Sequence, residues 1–195
     1  MRTLFALIVV AILGILAWPW LGPMVDNALF AIRLSTSPAP TSVAVPVAGV
    51  SRRSLVDTWG AARSEGRRHE GIDIFARRGT EVVAATEGLV ARVGENRLGG
   101  LSVWVLGPGR QRHYYAHLDR YADTLSPGDR VAVGDVLGYV GNTGNARATP
   151  PHLHYGIYTI AGAINPYPLL KAPPDPMPAP AAGPAATLPT SASGR

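Results

Sequence analysis

Two histidines one residue apart, His152-Leu153-His154, open a run of aromatic and β-branched residues directly after Pro150-Pro151. Successive strand side chains point to opposite faces, so His152 and His154 share a face and Leu153 takes the other. Two imidazoles on one strand face make a poor apolar core but a good wall for a polar cavity. The chain must therefore fold so that this strand has a core behind it and a site in front of it. A second pair of equal parity, His69 and Asp73, lies in His69-Glu70-Gly71-Ile72-Asp73, with Ile72 and Ile74 on the alternate face. Helical spacing would also align His69 with Asp73, but Gly71 and the β-branched neighbours disfavour a helix there.

The same texture runs from about Gly66 to Pro168, where short β-branched runs are separated by glycine and proline turns, the pattern of an all-β domain. Candidate strands are Ile72 to Phe75, Glu81 to Ala84, Gly88 to Val93, Leu101 to Leu106, Arg112 to His117, Arg130 to Val133 and His154 to Thr159. Gly99-Gly100, Gly107-Pro108-Gly109 and Pro127-Gly128-Asp129 mark turns. The fold class read from this is all-β, a compact antiparallel sheet or sandwich. His117, in Tyr114-Tyr115-Ala116-His117-Leu118, lies between the two motifs. His113 has the same parity as His117 and reads as a surface or rim residue.

A catalytic zinc takes three protein ligands and keeps one position for water or substrate. His69, Asp73 and one histidine of the His-Leu-His pair can supply that set, leaving spare imidazoles that titrate near neutral pH for acid–base work. His69-Glu70 starts like HExxH, but position 73 is aspartate, so the helical zincin pattern is absent and Glu70 is not cast as the base.

The 195 residues suit one domain of ordinary size with appendages. The absence of cysteine excludes disulfides and thiolate zinc ligands. Of the 18 basic residues behind a net charge of +5, all but Lys171 are arginines. They are scattered, without the aromatic–basic ladder of a nucleic-acid binder. Residues Thr3 to Trp18 form an uncharged apolar run that continues past Pro19 to Leu21, near the roughly 20 residues that cross a bilayer. Trp18 and Trp20 suit an interfacial belt and Arg2 the cytoplasmic side. No Ala-x-Ala cleavage site follows, so residues 1–22 read as an uncleaved transmembrane signal anchor that exports the rest. Residues 23–50 read as a juxtamembrane segment and proline-bearing linker, with a spacer over Ser35 to Val50 reaching at most about 50–60 Å. Residues 51–170 form the folded domain. Residues 171–195 read as a disordered Pro/Ala-rich tail.

Six short motifs occur in order: His69-x-Gly71-Ile72-Asp73-Ile74, Gly79-Thr80-x-Val82, Tyr115-Ala116-His117-Leu118, Gly128-Asp129-x-Val131, Gly141-Asn142-Thr143-Gly144 and Pro151-His152-Leu153-His154. Together, over about Trp59 to Pro168, the chain resembles the lysostaphin/LytM-type zinc metalloendopeptidases that cut peptide bridges in peptidoglycan. The resemblance implies a compact antiparallel domain of the LytM, duplicated hybrid motif, type. It implies one Zn2+ held by His69, Asp73 and His154, with His117 and His152 in catalysis. It also implies hydrolysis of peptidoglycan stem-peptide crosslinks at D-alanyl–diamino acid bonds, pentaglycine bridges being the main variant. With the anchor, the domain would face the periplasm from the inner membrane, its partners being stem peptides and the bilayer but no nucleic acid. The sequence departs from relatives at Asn145 to Pro151, at Tyr155-Gly156, and at Arg63, where some relatives carry a tyrosine six positions before the first histidine. The competing expectation is a non-catalytic LytM-like scaffold that activates wall amidases. Such regulators usually lack several metal ligands, whereas all five site residues are present here.

Overall fold

The computed structural model of the chain describes residues 2–173. After one long helix, α1 (Arg2–Thr36), the described domain is built on antiparallel strands. These are β1 (Ile72–Phe75), β2 (Glu81–Val83), β3 (Gly88–Asn96), β4 (Gly100–Leu106), β5 (Arg112–Tyr121), β6 (Arg130–Val131), β7 (Val136–Val140), β8 (His152–Thr159) and β9 (Gly162–Ile164). A short helix, α2 (Tyr167–Lys171), closes the domain. The main sheet runs β1-β8-β5-β4-β3-β6; β7 pairs with β5 and β2, and β9 pairs with β8. This is the antiparallel all-β fold the sequence predicts.

The alternation read for the two motif strands holds. Ile72, Ile74, Leu153, Tyr155 and Ile157 are buried in the core with Val103, Val105, Tyr115, Leu118 and Leu137. Asp73 faces His154 directly across β1 and β8, so one cross-strand pair brings two distant motifs together.

β5 bends at His117. Its first half, up to Ala116, lies between β4 and β8, while its last residues leave to pair with β7. The register shifts on both sides, between Leu101 and Val103 and between Leu118 and Arg120. His117 itself has φ +63°, a left-handed backbone that costs about 1–2 kcal/mol for a residue bearing a Cβ. The bend also overturns a parity argument. His113 and Tyr115 point into the core and are fully buried; alternation would send His117 with them. The left-handed turn sends it instead to the opposite face, towards His152 and His154. His113 is therefore a core residue and not a rim residue, with Nδ1 2.7 Å from the Tyr155 hydroxyl.

β7 and β9 are absent from the sequence-read strand list, and Arg130 to Val133 shortens to two residues. β7 is masked by its central Gly138. A Cβ there would come 2.7 Å from the Arg120 carbonyl and 3.1 Å from Leu118 Cδ1, so the glycine marks a close strand crossing and not a turn.

The N-terminal region also differs from expectation. The helix does not stop near residue 22 but continues to Thr36, and Leu34 is fully buried against the domain. Residues 37–50, expected as a free spacer, are built into the domain. Val43 and Val47 enter the core, and backbone bonds join Ala44 to Ala85, Val83 to Pro46 and Ala48 to Glu81. Val43 and Val47 bury almost completely, and Pro46 is buried between them. Among the described residues α1 is the one helix long and apolar enough to cross a membrane. At the other end, α2 closes onto the domain through Leu170, and Arg52 Nη1 donates to the carbonyls of Leu170 and Ala172. The expected tail lies outside the described residues from position 174 onward.

Candidate metal centre and cleft

The five residues singled out from the sequence meet in one cleft of about 880 Å³. Three present donor atoms to a common point. His69 Nε2 lies 2.8 Å from His154 Nδ1 and 3.0 Å from Asp73 Oδ1, and His154 Nδ1 lies 3.3 Å from Asp73 Oδ1. Donors around a tetrahedral ion with bonds of about 2.0–2.1 Å sit roughly 3.3 Å apart. The observed triangle lies within about half an ångström of this, and its two nitrogens and one oxygen suit zinc chemically.

Each donor is held by a partner behind it. The His69 ring donates from Nδ1 to the Thr58 carbonyl at 2.6 Å, which leaves Nε2 to face Asp73 and His154. Such a backing bond fixes tautomer and ring orientation, an assignment that follows from the hydrogen-bond network. Thr58 serves twice, since its hydroxyl accepts the Asp73 N–H at 2.9 Å. Arg63 donates from Nη2 to Asp73 Oδ2. Burial works most strongly against ionising Asp73, but the close His154 and His69 rings outweigh it and hold the carboxyl well below the usual carboxylate range. Burial lowers the His154 pKa, with Asp73 opposing that shift. Asp73 is thus held ionised and His154 is biased towards its neutral form, the states in which each can bind a metal.

Gly71, inside the first motif, is set by packing. A Cβ at Gly71 would meet His154 Cε1 at 2.6 Å, its Nε2 at 2.8 Å and the Tyr155 carbonyl at 2.7 Å. Only a glycine lets β1 begin flush against the ligand ring.

His117 and His152 stand beside the donors in matching poses. His152 donates from Nδ1 to the Pro150 carbonyl at 2.9 Å, and His117 from Nδ1 to the Thr143 carbonyl at 2.9 Å. Their ring centroids are 5.0 Å apart, and His152 Nε2 is 3.8 Å from Asp73 Oδ1. Both rings thus keep Nε2 as the open nitrogen. Burial, reinforced by His154 and His152, pulls His117 down to about 4.

Sequence reasoning missed the residues that act through backbone carbonyls: Thr58, Thr143 and Pro150. Thr143 stood in the Gly141-Asn142-Thr143-Gly144 motif without a role, and Pro150 read only as part of a rigid start to the His-Leu-His strand. It also missed an aromatic wall. Trp104 stacks on Tyr114 at 4.3 Å and lies 5.2 Å from Tyr158, and Tyr114 meets the His154 ring edge-on. Strand alternation along β4, β5 and β8 could have grouped these three. Arg63, Arg67, Arg68 and Arg92 line the same cleft.

Two histidines and an aspartate converging on one point, flanked by two more imidazoles with open nitrogens, form a candidate metal-binding site on an antiparallel β domain. The chain belongs to peptidase family M23, whose model matches residues 67–166. It is 41% identical over 130 residues to the L-Ala–D-Glu endopeptidase of Bacillus subtilis, covering 61% of this chain and 40% of that protein. It is 34% identical over 112 residues to lysostaphin of Staphylococcus simulans, covering 54% of this chain and 22% of that protein. The chain thus spans well under half the length of these relatives. Among solved structures, the catalytic domain of S. simulans lysostaphin matches with a TM-score of 0.55 at 29% identity, over 62% of this chain and 96% of that one. Helicobacter pylori Csd3 matches with a TM-score of 0.56 at 26% identity, over 69% of this chain and 34% of that one.

Proposed function

We propose that this protein is a zinc-dependent endopeptidase that hydrolyses peptide crosslinks of bacterial peptidoglycan, anchored by α1 in the inner membrane with its cleft in the periplasm. The observation that carries this reading is the convergence of His69 Nε2, Asp73 Oδ1 and His154 Nδ1 beside the open Nε2 atoms of His117 and His152. A zinc ion held by the three donors would polarise the scissile carbonyl and acidify the attacking water. The protein supplies the proton movements. With Nδ1 tied to a backbone carbonyl, the Nε2 of His152 or His117 accepts the proton of the attacking water. The resulting imidazolium can hydrogen-bond the carbonyl oxygen as negative charge develops there, or return the proton to the leaving amine.

The cleft also bears on the substrate. Arg67, Arg68 and Arg92 line it against the single carboxylate of Glu70 outside the donor set. Such a wall favours a stem peptide carrying free carboxylates over a neutral glycine bridge. This supports a bond within the stem peptides, of which the D-alanyl–diamino acid crosslink is the one proposed here. The named relatives differ in the bond they cut: one is an L-Ala–D-Glu endopeptidase, and another, of Vibrio cholerae, is a peptidoglycan DD-endopeptidase. A scaffold that only activates amidases is disfavoured, because such a role leaves no reason to keep all five side chains aligned. The test is digestion of isolated sacculi by the purified full chain, with and without a chelator, followed by mass spectrometry of the muropeptides. Loss of crosslinked dimers, a new free amine, and restoration by added zinc are expected. Zinc-loaded protein that leaves every crosslink intact overturns the proposal.

A further inference from the structure

The two carboxylate oxygens of Asp73 have different occupations. Oδ1 is the oxygen that His69 Nε2 and His154 Nδ1 approach at 3.0 and 3.3 Å. Oδ2 is turned away from that triangle and receives an N–H from Arg63 Nη2. Asp73 is buried, whereas the Arg63 side chain, 37% exposed, reaches it from the open side of the cleft. Arg63 is itself set in place. Its backbone N–H donates to the Arg67 carbonyl at 2.9 Å, and a bridge joins Ala62 to Arg68. This small closed loop lies between the Trp59 turn and the first ligand, and it aims the guanidinium at β1.

A carboxylate can grip a divalent ion through one oxygen or through both. With three single-atom ligands a four-coordinate ion keeps one place for substrate; a second oxygen from Asp73 would take that place. We propose that Arg63 is a positioning residue that keeps Asp73 on one oxygen. Its charge-assisted hydrogen bond to Oδ2 must be given up before the carboxylate can swing to a two-oxygen grip. The guanidinium also offsets part of the negative charge of Asp73, so the site stays more electrophilic than a His-Asp-His set alone. The assignment rests on the reading of His69, Asp73 and His154 as a metal centre, and Arg63 acts on the ion only through Asp73.

The test uses the full chain carrying Arg63→Met or Arg63→Lys, titrated with Zn2+ for affinity and with Co2+ for its visible spectrum, which reports coordination number. Wild type is expected to bind one ion per chain with the intense absorption of four-coordinate cobalt. Arg63→Met frees the second oxygen and removes a nearby positive charge, so it should bind zinc more tightly and show the weaker absorption of a higher coordination number. Arg63→Lys, which keeps the charge and one donor, should fall between the two on both counts. If Arg63→Met keeps wild-type affinity and an unchanged cobalt spectrum, the proposal is wrong, and any loss of turnover then reflects substrate contact. If wild type itself takes up neither ion, the metal-centre reading falls and this assignment falls with it.

Discussion

At the scale of single residues, the site is built by atoms that sit behind the cleft histidines. His69, His117 and His152 each donate Nδ1–H to a main-chain carbonyl, of Thr58, Thr143 and Pro150 respectively. One nitrogen is tied and the other is presented. This separates the expected mutant classes. His154→Ala should lose both bound zinc and activity. His152→Ala and His117→Ala should keep the metal but lose about 10²- to 10⁴-fold in kcat, the usual weight of an acid–base group; metal analysis alongside muropeptide assays distinguishes them. Gly71→Ala should behave like a ligand mutant, because its new methyl overlaps His154, and zinc titration should show weaker binding in a folded protein. His113 offers a pH signature away from the donors. Burial lowers its pKa to about 4 from an ordinary 6.5, so the unfolded chain binds the proton more readily than the folded one. Its contribution is complete above about pH 6.5 and erodes as pH falls towards 4, by at most roughly 3 kcal/mol. His113→Gln, which can still meet the Tyr155 hydroxyl, should flatten urea-unfolding stability over that window while leaving activity at neutral pH intact.

At the scale of elements, what could be read from the chain was whatever depends on side-chain alternation. β1 appears where the sequence places it, Leu153 is buried between two cleft-facing histidines, and Asp73 and His154 face each other across two strands. His69 joins them by a different route than equal parity, because it precedes β1 and is fixed by the Thr58 carbonyl. What could not be read depends on backbone. Thr143 holds His117 through its carbonyl, and its hydroxyl donates to the Leu118 carbonyl and accepts the Leu101 N–H; any residue has a carbonyl, so composition cannot flag the first of these. The left-handed turn at His117 is equally silent, since histidine is not a residue that announces it. The loops that frame this turn meet through glycines. A Cβ on Gly100 would lie 2.3 Å from the Gly144 nitrogen, and both glycines have positive φ, +61° and +67°. β7 was hidden by Gly138 for a related reason. Gly138→Val should therefore destabilise the fold by about 1–3 kcal/mol through overpacking against Arg120 and Leu118, seen as a lower urea midpoint with an unchanged slope.

At the scale of the whole molecule, the helix and the β domain form one continuous body instead of a domain on a tether. At 1.5 Å per residue α1 is about 50 Å long, and its last turns are docked. Asn27 Nδ2 donates to the Gly128 carbonyl at 2.8 Å, and Arg130 Nε donates back to Asn27 Oδ1 at 3.1 Å. The Phe30 ring lies beneath two guanidiniums, those of Arg33 at 4.7 Å and Arg130 at 4.6 Å, and Arg33 makes a two-point pair with Glu87. The exposed ion pair alone is worth little; the buried Leu34 is the stronger anchor. With the apolar turns of α1 in a bilayer, this docking would hold the cleft at one height and tilt above the membrane. The chain contains no cysteine, so spin labels can be introduced at chosen sites. Labels at Trp20→Cys and Ile160→Cys, both highly exposed, should give a narrow distance distribution in nanodiscs by double electron–electron resonance. Leu34→Asp, which buries an unpaired carboxylate in the joint, should broaden that distribution while cleavage of soluble muropeptides continues. Because the cleft itself is untouched, digestion of intact sacculi by the membrane-inserted variant should change in the bonds reached and not in the chemistry. A broad distribution in the unaltered chain would mean that these contacts do not hold the domain to its helix.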